Sequence, residues 1–143
     1  MSRWLIKSEP HVYSFSQLEK DKKTSWTGVR NFEARNNLRA MKKGDLALFY
    51  HSNAKHAKDK AIVGVATVVR GGYADPTNTN KDEAWSTVDF APLVAMKEPV
   101  SLAAVKASAK LKDMALVKKS RVSVVPVTDA EFREVLKMGK TDV

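Results

Sequence analysis

Ile62-Val63-Gly64-Val65-Ala66-Thr67-Val68-Val69 is β-branched almost throughout, the composition of a strand. Gly64 interrupts it, and a glycine inside a strand marks a bulge, a bend or a close backbone approach. A small sheet that curls into a barrel is the architecture this predicts. Upstream, Leu46-Ala47-Leu48-Phe49-Tyr50 follows a Lys43-Gly44-Asp45 turn and reads as a strand buried on both sides. It ends in the polar cluster His51-Ser52-Asn53, and a basic loop, Lys55 to Lys60, joins the two. Downstream, residues 71–80 read as a mobile loop that opens on Gly71-Gly72, and Trp85 to Phe90 returns as a strand that Pro92 to Met96 continues.

The flanks supply the remaining elements. Trp4 to Lys7 is a strand ended by Pro10, Thr24 to Trp26 a short extended piece, and Arg121 to Val125 an alternating strand. Ser14 with Gln17 and Thr128 with Glu131 have capping-box spacing, predicting one helix to about Lys20 and another that stops at Gly139. Between Asn31 and Met41, residues Ala34, Leu38 and Met41 form an apolar stripe. Ser101 caps a helix carrying Leu102 and Val105, and Leu111 to Val117 forms a turn or short helix. The expected fold class is α+β: one domain over residues 1–143, with five or six strands on a small curled sheet and short helices between them.

The 143 residues contain no cysteine and carry a net charge of +9. Disulfide frameworks and thiolate metal sites are therefore excluded. The longest apolar run, Ala61 to Val69, is too short to span a bilayer, and the N-terminus lacks a signal pattern, so no membrane partner is expected. An intracellular, cytoplasmic location is expected, or a nuclear one in a eukaryote. Residues 1–60 hold 13 Lys/Arg against 6 Asp/Glu, so the basic surplus is concentrated in the first half. Clustered cations of this kind suit a polyanionic partner, although solubility alone also accounts for net charge. Oligomeric state is not legible.

Within that basic half lies Trp26-Thr27-Gly28-Val29-Arg30-Asn31. It combines a flat aromatic, a turn glycine, directed hydrogen-bond donors and a helix start. With Tyr50-His51-Ser52-Asn53 it supplies the ring faces, amides and hydroxyls that hold an unstacked nucleobase. Trp85 is a second candidate wall, and Arg35, Arg39 and Lys42 form a cationic line suited to phosphates. A structural account stays open for each, with Trp26 in the core, Arg30 paired with Glu33 and Trp85 on an edge strand. The three histidines, His11, His51 and His56, show no metal-ligand spacing, and no cofactor motif is present. His51 and Ser52, adjacent on a strand, point to opposite faces and make a poor base and nucleophile.

Trp4-Leu5-Ile6-Lys7-Ser8-Glu9-Pro10, Trp26 to Asn31, Ala34-Arg35-Asn36, Gly44-Asp45, Phe49 to Asn53 and Arg121 to Val127 together resemble the EVE-domain family, in order over nearly the whole chain. The resemblance implies a PUA-like fold, a curled mixed barrel flanked by helices and related to YTH domains. It implies a non-catalytic reader of modified bases, chiefly modified cytosine in DNA. The pocket it implies comprises Lys7, Ser8, Trp26, Gly28, Val29, Arg30, Asn31, Tyr50, His51, Ser52 and Asn53, with Trp85 and Ser123 nearby. One departure is visible: only Asn78 to Ala84 separate Tyr73-Ala74-Asp75-Pro76-Thr77 from Trp85, where family members commonly carry a longer, aromatic-containing loop. An RNA-binding accessory protein and a nucleotide-acting enzyme are the alternatives.

Overall fold

The structure is a computed structural model, and it describes residues 1–52, 60–80 and 83–143. Asn53 and most of the basic loop fall outside the described residues.

The apolar runs become strands Arg3–Ser8 (β1), Thr24–Ser25 (β2), Leu46–His51 (β3), Ala61–Ala74 (β4), Ser86–Ser101 (β5) and Val124–Val127 (β6). They form one sheet in the order β2-β5-β4-β3-β1-β6. β1 and β3 run parallel, and the other neighbours are antiparallel. Four register shifts punctuate the long β4–β5 pair, the first of them between Ile62 and Gly64, and irregularities of this kind bend a ladder. The sheet is not closed: β2 and β6 are its two ends and do not pair with each other. The expected barrel is therefore an open mixed sheet of six strands flanked by short helices.

Alternation along the central strands covers both faces. Trp4, Ile6, Ala47 and Phe49 point to one side, where they pack with Phe15 and Leu18 of helix α1 (Phe15–Asp21) and Ala34 and Leu38 of α2 (Phe32–Ala40). Leu5, Leu48 and Tyr50 point to the other, against Val105 of α3 (Leu102–Ala107), Leu116 of α4 (Ala115–Lys118) and Phe132 and Val135 of α5 (Asp129–Met138). The strand at Leu46–Tyr50 is thus buried on both sides, as its unbroken apolar run requires.

Local chemistry sets the helix starts. Ser14, Asn31, Ser101 and Thr128 each accept a backbone N–H from three residues on, and Glu131 completes the capping box at α5. Glycines in β4 permit close approach. A Cβ at Gly64 would lie 2.5 Å from the Phe15 ring, and one at Gly72 would lie 3.0 Å from the Arg39 Cα. Gly71 and Gly72 therefore belong to β4, not to a loop: they let α2 lie directly on the strand.

Candidate nucleic-acid interface

The gap between the two ends of the sheet holds a cleft of about 580 Å³. One wall comes from the end of β1 and the turn after it, with Lys7, Ser8, Glu9, Val12 and Tyr13. The opposite wall is β2 continued through the Trp26–Arg30 turn, and Ser123, just before β6, completes the rim. Failure of the sheet to close is what makes room for the site.

Trp26 is anchored by its backbone N–H, which donates to the Val88 carbonyl at 2.8 Å. Its ring meets Tyr13, Phe49 and Phe90 edge-on at centroid distances of 6.3, 5.6 and 5.6 Å. It is half-buried, so it belongs both to the core and to the cleft wall.

The turn after it is built on a residue 47 positions away. Asp75, whose side chain is fully buried, accepts from the Gly28 N–H at 2.9 Å and from Arg30 Nη1 at 3.0 Å. It also accepts from the Thr77 N–H and hydroxyl, both at 2.7 Å. Burial pushes the Asp75 carboxyl up, but these four donors outweigh it and hold the group down at about 2. The chain can follow this path because Gly28 takes a φ of +82°. Arg30 thus pairs with Asp75 and not with Glu33, which takes Lys119 at 2.7 Å.

The other candidate residues are distributed unevenly. Lys7, Ser8, Trp26, Gly28, Val29, Arg30 and Ser123 come together in the cleft. The Asn31 side chain is spent as the α2 cap, accepting from the Ala34 N–H at 2.9 Å. Tyr50 lies on the opposite face of the sheet from Phe49, buried among the α3–α5 side chains, where burial raises its hydroxyl pKa. His51 Nε2 accepts the Phe15 N–H at 3.1 Å, and burial keeps the imidazole pKa low. The bond and the burial both favour a neutral ring serving as a brace for α1. Ser52 and Tyr50 line a smaller groove with Lys7 and Lys60. Trp85 is buried and stacks on the exposed Phe32 at 5.1 Å, with the Arg30 and Arg35 guanidinium groups 5.4 and 5.6 Å from its centroid.

The expected cationic line is broken, because only Arg35 and Arg39 lie on α2 and Lys42 falls beyond its extended Met41 cap. The two arginines are largely committed within the protein. Arg35 Nη1 and Arg39 Nη2 both donate to the Ala84 carbonyl at 3.1 Å, and Arg39 Nε donates to Ser86 Oγ at 2.9 Å. These contacts tie the start of β5 to the helix. Lys42 is exposed.

Sequence reasoning missed Asp75, Tyr13, Val12 and the Thr24–Ser25 edge. The Pro76-Thr77 pair after Asp75 was the available signal, since a buried Asx-type turn needs such neighbours. Among the described residues no cluster of three or more metal-ligating side chains occurs, and no helix is long and apolar enough to cross a membrane.

Residues 2–138 match the EVE domain. The chain belongs to the EVE-domain family. Human thymocyte nuclear protein 1 is 36% identical, aligning with 99% of this chain and 75% of its own length. The human THYN1 protein solved in complex with 5-methylcytosine-containing DNA superposes with a TM-score of 0.87 at 34% identity, covering 100% of both chains. An Agrobacterium tumefaciens protein reaches a TM-score of 0.90 at 43% identity, over 99% of this chain and 94% of that chain.

Proposed function

We propose that this EVE domain is a non-catalytic reader of DNA that seats an extruded modified cytosine, of the 5-methylcytosine class, in the cleft beside Trp26. The observation that carries the proposal is the cleft itself. It holds one aromatic wall, a rigid Asp75-braced turn and hydroxyls from Ser8, Ser25, Thr27 and Ser123 within about 580 Å³, inside the common range of about 300–1,000 Å³ for ligand sites. The DNA complex of the human relative, similar over the whole chain, supports the same assignment. Stacking on Trp26 contributes on the order of 1–3 kcal/mol, and the Thr27 and Ser123 hydroxyls address the Watson–Crick edge. Those of Ser8 and Ser25 are able only to accept, because they donate to the Tyr13 carbonyl and to Asp89. A methyl group buried against apolar side chains adds roughly 1–3 kcal/mol of discrimination. His51 offers no base for chemistry, because its acceptor nitrogen is engaged by Phe15.

The test is a titration of DNA strands identical except for one cytosine, unmodified or 5-methylated, alongside the matching RNA. Preference for the methylated DNA is expected. Equal, purely salt-dependent binding to all strands would leave only a polyanion binder, and preference for the RNA would move the site to the alternative partner.

A further inference from the structure

An extruded base brings its phosphodiester with it, so a reader needs cations at the mouth of the cleft that are not already spent. Arg35 and Arg39 are poor candidates, because their donors hold Ala84, Ser86 and Asn36. The other side of the cleft is different. Lys7 lines the base cleft, and it also lines two grooves that continue from it. One groove leads to Lys60, with Ser52 and Ser120 on its walls, and the other leads over Ser120 to Arg121.

The Lys7 ammonium spends two of its three donors on the Lys119 and Ser120 carbonyls at 3.2 and 3.3 Å, which aims it along the 119–121 segment with one donor left for a ligand. Among the described residues, no carboxylate forms an ion pair with Lys7, Lys60 or Arg121, whereas the neighbouring Lys118 and Lys119 are paired with Asp113 and Glu33. Glu9 also borders the second groove, and its carboxylate lies 3.2 Å from His11 Nε2. Cations with no carboxylate partner among the described residues, interleaved with serine hydroxyls along a groove, are the chemistry that receives phosphodiester oxygens.

We infer that the groove running from the base cleft past Lys7 to Lys60 and Arg121 is the phosphodiester track of the bound DNA strand. The inference rests on the base-reading function above for the placement of the strand, and it replaces the α2 arginines as the main backbone contact.

The test compares the parent protein with Lys60→Ala, Arg121→Ala, the double variant and Arg121→Lys. Each binds a single-stranded oligodeoxynucleotide with one 5-methylcytosine, and its unmodified twin, across a salt series. Each lost phosphate contact lowers the slope of log K against log salt by about 0.7 on a single strand. The alanine variants are expected to lose that increment, twice over in the double variant, with the ratio between the twins unchanged. Arg121→Lys is expected to keep the parent slope. Unchanged slopes in both alanine variants would overturn the track, as would a collapse of the ratio at constant slope. Should the parent bind both twins equally, the base-reading function fails, and the slopes still decide the track.

Discussion

The Asp75 carboxylate and the Arg30 guanidinium meet at 3.0 Å with Asp75 fully buried, and the same carboxylate holds the Gly28 N–H. The loop after β4 thereby fixes the turn that carries the cleft wall.

Acid should release that turn. Asp75 titrates at about 2 when folded, below its ordinary 3.8. A depressed carboxylate stabilises the fold above its unfolded pKa, and the gain is lost as pH falls through the folded value. Asp45 and Asp89 are shifted in the same direction, each against its own burial, by hydrogen bonds led by Trp4 and Tyr73 respectively. Urea unfolding should therefore show stability falling between pH 3.8 and about 2, with Asp75 alone contributing about 2 kcal/mol of the loss. Asp75→Asn should cost about 2–3 kcal/mol at neutral pH, because Arg30 and its neighbours lose a charged acceptor. It should also flatten that part of the acid limb.

Gly64 tests the close approach of α1 to the sheet. An added Cβ would overlap the Phe15 ring at 2.5 Å, so Gly64→Ala should destabilise by about 1–3 kcal/mol through overpacking. Introducing Phe15→Leu into that background should recover part of the loss, and the coupling would be read from a double-mutant cycle in denaturant. Additive effects would mean that the two residues do not compete for the same space.

Arg39 should behave as a structural residue. Arg39→Ala removes the bonds to Ala84 and Ser86 and should cost about 1–2 kcal/mol of stability. The salt dependence of DNA binding should stay at the parent value. A slope reduced by a full phosphate contact would return Arg39 to the backbone interface.

The legible parts of this fold were those decided within a few residues. Ser14, Asn31, Ser101 and Thr128 cap their helices through side chains three positions from the bonded N–H, a distance that sequence spacing encodes directly. Leu46 to Tyr50 announced two covered faces by its unbroken apolar run. Gly64 announced a bulge, a bend or a close approach without choosing among them, and the structure has both a register shift beside it and the ring of Phe15, 49 positions upstream, against it. The misread parts were tertiary. Gly71 and Gly72 look like a loop because glycine usually marks one, and only the packing of α2 shows why strand positions need them. In sequence, Tyr50 to Asn53 reads as the partner of the Trp26 motif. Yet the period of two puts Tyr50 on the far face, and His51 turns to brace α1. Arg35, Arg39 and Lys42 share a helical spacing, but spacing could not show that Ala84 would occupy two of them. The candidate site was half legible for the same reason: Trp26 to Arg30 is a contiguous motif, whereas Asp75 reaches it only through the fold.

The most direct measurement is the affinity of the parent and of Trp26→Ala for the DNA twins that differ by one 5-methyl group. Trp26 packs edge-on with three rings, so a thermal melt must first show Trp26→Ala folded at the assay temperature, with Trp26→Phe as a milder companion. The parent should prefer the methylated strand about tenfold or more. Trp26→Ala should lose that preference together with about 1–3 kcal/mol of affinity, while its salt slope stays unchanged. A preference that survives intact in folded Trp26→Ala would place the base elsewhere and contradict the account.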